Sequence, residues 1–218
     1  MKKEELNTET AQQAPPIKKR LLSLDALRGI TVAGMILVNN AGGKVSYAPL
    51  QHSAWNGLSL CDLVFPFFLF IMGISTYISL NKFNFNVSLQ VVTKILKRTF
   101  LILCIGWAIG WFDHVCEGDF LPFVHLRIPG VLQRIALCYC VISFTALFMN
   151  HKFIPALTFI LLVSYTVILC MGNGYACDES NILSIMDRQL FGEAHLYQKS
   201  PIDPEGFVST LSAIAHTC

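Results

Sequence analysis

The 218-residue chain is short of charge: 14% of its residues are Asp, Glu, Lys or Arg, against about a quarter in soluble domains. With 54% hydrophobic residues and a mean hydropathy of +0.55, that shortage argues against an ordinary soluble domain. The charges present cluster between long apolar runs, the pattern of a multi-pass membrane protein. Net charge is +2 and uninformative as a total; its distribution says more. The eight cysteines follow no metal-ligand spacing, and no metal is expected. Cys61, Cys104, Cys138, Cys140 and Cys170 lie in or beside apolar runs, as small hydrophobes do. Cys116 and Cys177 fall in polar connections, where they pair if their side is oxidising; unrelated free thiols are the expected reading. The start does not read as a cleavable leader, since about twenty polar residues precede the first apolar run and a small-residue cleavage site is lacking.

Five apolar runs stand out: Leu21–Asn40, Leu60–Leu80, Thr99–Phe112 (extendable back to Val91), Gly130–Met149 and Phe153–Met171. A spanning helix needs about 20 residues, so the third must borrow neighbours. A sixth begins at Phe207 and stops at Cys218, too short to cross. The expected fold is all-α, a polytopic transmembrane helix bundle of five spans plus the start of a sixth. Residues 1–20 read as a disordered cytoplasmic tail and 21–218 as the membrane domain. The chain reads as ending inside a helix, with its parent longer.

Lysine and arginine set the orientation. With the amino terminus inside, inner segments hold Lys2, Lys3, Lys18, Lys19, Arg20, Lys82, Lys94, Lys97, Arg98 and Lys152. Outer segments hold Lys44, Arg127, Arg188 and Lys199, together with most of the acids. The connection bearing His52, the segment Arg127–Arg134 and the long connection 172–206 then share the outer face.

Several residues there could carry chemistry. His52 is the one residue of its connection that titrates near neutral pH; it is either an ordinary loop histidine or a base. Trp55 suits a membrane interface, and Asn56-Gly57 reads as a turn. Asn39 and Asn40 end the first helix, as terminators or as amide donors to a carbonyl oxygen. Asp62 opens the second helix, as a cap or as the carboxylate that orients an imidazole, with Pro66 near the first turn. Ser23 can cap the first helix. Asp25 and Arg28, three apart, form an ion pair hiding two charges or anchor a cytoplasmic anionic ligand. Arg127 can snorkel, whereas Arg134, one turn into the fourth helix beyond Gln133, favours a polar cavity. His195, Tyr197, Asp203 and Glu205 add polar groups that, taken alone, are loop residues.

Taken together, these segments resemble the heparan-alpha-glucosaminide N-acetyltransferase family and its bacterial relatives. The resembling stretches are SLDALRG at Ser23–Gly29, VNNAGGK at Val38–Lys44, HSAWNGLSLCDLVFPFFLFIMG at His52–Gly73, RIPGVLQR at Arg127–Arg134, HLYQ at His195–Gln198 and DPEG at Asp203–Gly206. SLDALRG recurs in other membrane acyltransferases, whereas His-x-x-Trp-Asn-Gly followed by Asp-Leu-Val-Phe-Pro is specific. The resemblance implies acetyl transfer from acetyl-CoA to the amino group of a terminal glucosamine across a membrane. It matches His52 to the active histidine, as acetyl carrier or general base, and Asn39 to its supporting asparagine; Asp62 is taken as the third member. Asp25, Arg28, Asn40, Trp55, Asn56, Arg127, Gln133, Arg134, His195 and Tyr197 are the expected substrate-binding set. Expected partners are acetyl-CoA, an amino sugar and the bilayer of a bacterial inner membrane, with a homodimer allowed and no nucleic acid. The connection between Asn39 and His52 is slightly longer than in the lysosomal relatives. Family members also have about twice as many spans, so the chain reads as an amino-terminal half whose own activity is open.

Two other classes fit the residues less well. A membrane O-acyltransferase of cell-surface polysaccharide shares the LDALRG opening but acts on hydroxyls. A sugar transporter predicts inverted repeats, and no convincing internal repeat is found. The orientation is testable: in Ser46→Cys, an impermeant maleimide added to intact cells should label above the background of native thiols. Labelling only after lysis reverses the topology.

Overall fold

A computed structural model describes residues 22–39, 51, 57–116, 118, 126–197 and 202–218. Among these residues the chain forms seven α-helices and no strand: α1 (Leu22–Asn39), α2 (Leu60–Asn81), α3 (Leu89–Cys116), α4 (Val131–Phe148), α5 (Ile154–Met171), α6 (Ile182–Phe191) and α7 (Thr210–Thr217). Among the described residues four stretches are long and apolar enough to cross a membrane: α2, α3, α4, and α5 with the short 3-10 turn at His151–Phe153 that leads into it. The expected first span is not among them. Helix α1 has 18 residues, about 27 Å at 1.5 Å per residue, and Asp25 and Arg28 occupy its first two turns.

The third run does borrow from its neighbours: α3 reaches back to Leu89 and on to Cys116, 28 residues in all. Two local expectations shift. Helix α1 already includes Leu22, so Ser23 lies within it instead of capping it. Pro66 falls inside α2, in its second turn, where it cannot supply the i→i−4 hydrogen bond that another residue would. All eight cysteines, Cys116 and Cys177 included, are unbridged.

Helix α4 is central. It buries Ile135, Ala136, Cys138, Tyr139, Ile142, Ser143, Ala146 and Leu147, on both sides of the helix. Around it, Leu69, Met72 and Leu80 of α2, Val91 and Ile95 of α3 and Ala213 of α7 complete one apolar core. By contrast α5 buries none of its residues, and α3 buries only Val91, Ile95 and Thr99. Such apolar exteriors are stable against hydrocarbon, because each helix satisfies its own backbone.

Helices α1 to α5 run alternately up and down, so two ends are distinct. One end gathers the close of α1, the start of α2 and the start of α4. At the other, Tyr77 of α2, Phe85 and His151 form an aromatic cluster with ring centroids 4.3 to 5.3 Å apart. Phe85 adopts a left-handed φ of +52° to do so, a conformation that costs about 1 kcal/mol or more for a bulky residue.

Gly73 lets α7 settle against α2. A Cβ there would lie 2.0 Å from the carbonyl oxygen of Thr217, whereas one at Gly29 would meet nothing within 4 Å. Gly73→Ala should therefore lower the thermal midpoint in detergent, by the equivalent of about 1–3 kcal/mol of overpacking. Gly29→Ala should be neutral or gain up to about 1 kcal/mol from helix propensity. Equal midpoints for the two would mean that α7 does not seat on α2.

Candidate functional site

The start of α2 is fixed by a reciprocal cap. Ser59 precedes the helix, and its backbone N–H and hydroxyl both donate to Asp62 Oδ2, at 2.9 and 2.8 Å. The carboxylate also faces the positive end of the helix dipole, which favours its charge. Asp62 is thus held at the rim of a cavity of about 420 Å3, whose wall includes Met35 and Val38 of α1, Pro66 of α2, Arg134 of α4, and Glu205. The two helix ends joined by the connection 40–56 therefore border one hollow, mostly apolar but holding three charged side chains, Asp62, Arg134 and Glu205.

Arg134 and Glu205 line the same cavity, and Arg127 holds Glu205 from behind. Arg127, just before α4, donates to Asp203 Oδ1 at 2.5 Å and to Asp203 Oδ2 at 3.3 Å, and also pairs with Glu205. Its guanidinium lies 4.7 Å over the ring of Tyr197, and the Tyr197 backbone N–H donates to Asp203 Oδ2 at 3.0 Å. The Asp203 side chain is fully buried. Burial works against the charge of Arg127, but its hydrogen bond to Asp203 and the Glu205 charge outweigh that, and its pKa is raised. His195 completes the assembly: its Nδ1 is 2.8 Å from the Leu126 carbonyl, and its own carbonyl accepts the Ile128 N–H at 3.0 Å.

Arg134, nearly two turns further along the chain, makes a different set of bonds. One Nη donates to the carbonyls of Pro204 (2.8 Å) and Gly206 (3.3 Å) and to the Ser209 hydroxyl. Its Nε is buried and unpaired among the described residues. Arg134 and Glu205 also line a second, more apolar cavity of about 290 Å3, with Trp107, Gln133 and Phe207. Gln133 is buried. A Cβ at Gly106 of α3 would lie 2.9 Å from its Nε2, and one at Gly130 would lie 2.6 Å from its Oε1. Gln133 is wedged between two glycines, outside the Asp62 cavity.

Helix α6 was not foreseen from the hydropathy runs. Asn181 caps it by accepting the Leu183 N–H at 2.9 Å, while its amide donates to the Gly174 and Ala176 carbonyls. Its buried face presents Asp187, 1% exposed, whose Oδ1 accepts the Phe207 N–H at 2.9 Å. Burial pushes the Asp187 carboxyl up; the backbone N–H groups of Phe207 and Val208 pull it partly back. Gly206 is indispensable there, since a Cβ would overlap Asp187 Oδ2. Asp187 therefore anchors the segment 203–207 that presents Glu205. A signal did exist: Asn181 before ILSIMDRQLF, with apolar residues at helical spacing.

The expected site residues thus separate into groups. Asp62 and Arg134 share the cavity; Arg127, His195 and Tyr197 form the buttress behind it. Arg28 and Asp25 sit at the far end of α1, about 15 and about 20 Å from Val38 by helical rise. There Arg28 lies 3.9 Å from Asp25 and donates to the Ser75 hydroxyl of α2 at 2.5 Å. Of Asn39 the backbone alone is described, as the last residue of α1; Asn40, His52, Trp55 and Asn56 lie outside the described residues. Asp203 and Glu205 are the polar residues the sequence undervalued.

Apolar helices around a central α4, with three charged side chains lining a cavity at one end, define a multi-pass helical membrane protein. The family model described as heparan-alpha-glucosaminide N-acetyltransferase, catalytic, matches residues 20–187. Among curated proteins, the heparan-alpha-glucosaminide N-acetyltransferases of Mus musculus and Homo sapiens are each 32% identical over 89% of this chain. The chain belongs to the heparan-alpha-glucosaminide N-acetyltransferase family. It spans 37% of the mouse protein and 36% of the human one, little more than a third of their length.

The buttress yields a stability prediction. Arg127→Met leaves the buried Asp203 carboxylate without its cation and should cost about 3–5 kcal/mol, read as a lowered denaturation midpoint in detergent. Adding Asp203→Asn should recover much of that loss. If the double variant is no more stable than the single one, the pair is not what holds the segment.

Proposed function

We propose that the protein transfers acetyl from acetyl-CoA to the amino group of a glucosamine-type sugar, at the cavity bordered by Asp62, Arg134 and Glu205. The observation that carries this reading is the shared border. In a chain of this family, the helix ends joined by the connection containing His52 flank a hollow that gathers Asp62, Arg134 and Glu205 among apolar side chains. A bundle with apolar flanks lets such a hollow exist at a membrane edge.

The chemistry follows from the residues. An ammonium cannot attack a thioester until it loses a proton, and a neutral imidazole at His52 accepts it. The amine lone pair then forms the C–N bond while the thioester C–S bond breaks, and the proton shed by the new amide nitrogen goes to the departing thiolate, giving an amide and the CoA thiol. Alternatively the imidazole nitrogen takes the acetyl group first and passes it to the amine, splitting the transfer into two steps. Asn39, at the end of α1, would donate to the carbonyl oxygen as negative charge develops. Asp62, held by Ser59, would orient the imidazole.

Acetyl-CoA is a large anion, and Arg28 at the opposite end of α1 is placed to meet it. With the amino terminus cytoplasmic, as the lysines and arginines indicate, the donor arrives from the cytosol and the sugar from the other side. A bacterial inner membrane fits that arrangement.

In a full-length parent, His52→Ala should reduce acetylation of a glucosamine acceptor by about 100-fold or more, the usual weight of a general base, with membrane insertion unchanged. In the unmodified enzyme, the rate should fall as acid protonates the imidazole, whose ordinary pKa is about 6.5. Turnover of the variant near the parental rate removes His52 from the reaction.

A further inference from the structure

Three hollows follow one another along α4. Val131, Arg134, Leu137 and Val141 share one face of that helix by their spacing. Val131 lines the Asp62 cavity, and Arg134 lines both that cavity and the smaller apolar one. Leu137 lines the apolar cavity and a groove of about 870 Å3, and Val141 lines the groove alone. The facing segment repeats the order: Glu205 belongs to the first two hollows, Phe207 and Thr210 to the second and third, and Ile214 to the third. We propose that the acceptor is a lipid-linked amino sugar, an amphiphile whose saccharide enters the Asp62 cavity while its hydrocarbon tail lies in the groove. The inference rests on the reading of that cavity as the acceptor site and adds what the sugar is attached to.

The groove suits a hydrocarbon chain. Among the described residues no charged side chain lines it. Its floor is α7, which packs against both α4 and α5, and its rim carries exposed Val141, Val167, Met171, Met186 and Leu190. Methionine side chains are flexible and adapt to an irregular apolar partner. Because α5 buries none of its residues, the groove is continuous with the apolar exterior that hydrocarbon covers. From Val131 to Val141 the face of α4 runs about 15 Å by helical rise. That is half of a hydrocarbon core of about 30 Å, the depth of one leaflet.

The order of the hollows matches the order of groups in such a molecule. Asp62, Arg134 and Glu205 gather at the head end, the apolar cavity with Trp107 comes next, and the uncharged groove takes the tail. A tail by itself gains little there, since bulk lipid is as apolar as the groove. What fixes one occupant against ordinary lipid is its head among the polar groups. The tail serves the head in turn: once it lies in the groove, the sugar meets the cavity at an effective concentration far above that of a free sugar.

The test is photolabelling of the full chain in phosphatidylcholine nanodiscs with dodecyl glucosaminide carrying a diazirine at the end of its tail, mapped by mass spectrometry. Label should concentrate on the groove residues of α4, α6 and α7. Excess plain dodecyl glucosaminide should suppress it at least about tenfold, and dodecanol, the tail without the sugar, by no more than about twofold. Val141→Trp and Val167→Trp narrow the groove from opposite walls at exposed positions. Each should cut groove labelling at least about fivefold, equivalent to about 1 kcal/mol. Phe159→Trp, on the exposed surface of α5 away from the groove, should leave it unchanged. Equal labelling of the groove and the outer faces of α3 and α5, equal suppression by dodecanol, or undiminished labelling in both groove variants overturns the proposal. So does a dimer in which a second copy of the chain shields the groove from the label. No acetyl transfer enters this measurement, so an unlabelled groove leaves acetylation of a water-soluble glucosamine standing. A labelled groove in a chain that cannot use acetyl-CoA would fail the reaction and not the amphiphile site.

Discussion

The cavity end of the molecule depends on one guanidinium. Arg127 precedes α4, the most deeply packed helix, and its partners Asp203 and Glu205 lie about 75 residues further along the chain, ahead of α7. No local pairing could place that segment. A long loop closes at modest entropic cost, growing only with the logarithm of its length, but it needs a specific closing contact. A planar fork that bonds a buried carboxylate through two nitrogens supplies both strength and direction. The aromatic ring of Tyr197 covers the face of the fork, adding cation–π attraction and excluding water.

Behind that clamp, Asp187 fixes the same segment from α6, and Gly206 is the residue small enough to pass the carboxylate. The segment 203–209 is thus bonded from α6, from Arg127 and from Arg134. Its rigidity matters because it forms one wall of the hollow, while the capped start of α2 forms another. The two walls have different physics. The α2 wall is a helix N-terminus that favours negative charge; the wall opposite is a salt-bridged loop with buried donors and acceptors almost all matched. Arg134 Nε and Asp187 Oδ2 are the exceptions there among the described residues.

Much of the fold was readable from hydropathy. Runs of about 20 apolar residues can hardly form anything but spanning helices, and α2, α4 and α5 fall where those runs lie. The third run shows the limit. Thr99–Phe112 looked short because Lys94, Lys97 and Arg98 interrupt the apolar count, yet the helix continues through them. Two of these cations lie over aromatic rings, Lys94 5.2 Å from the Phe83 centroid and Arg98 4.7 Å from Tyr139, and amphipathic stems of that kind cover apolar surface. Helix α6 escaped notice for the opposite reason: with 10 residues it is too short to register as a span. The candidate site was legible in its motifs but not in its grouping. RIPGVLQR and DPEG stood out as patterns, while the fact that one grips the other is a long-range pairing that sequence spacing does not encode. Gln133 illustrates the same point: a polar residue in a striking motif turns out to be wedged between Gly106 and Gly130.

Arg134 poses the sharpest physical question in the structure, because a charge one turn inside a spanning helix is expensive unless something holds it. Its described partners at Pro204, Gly206 and Ser209 are neutral, which relieves the desolvation of its N–H groups without cancelling its charge. Glu205 stands nearby on the same wall, bonded to Arg127. The arrangement resembles a relay of partial compensation: Arg127 is over-supplied with carboxylate, Arg134 is under-supplied, and Glu205 lies between them. A methionine or leucine at 134 would pack against the apolar lining of the second cavity at no electrostatic cost. What it would lose is a wall shared by two hollows, the one on the Asp62 side with more polar surface than the one on the Trp107 side. Retaining an arginine there makes sense if the boundary between those two environments is itself what the site requires, with a polar acceptor kept on one side and hydrocarbon on the other.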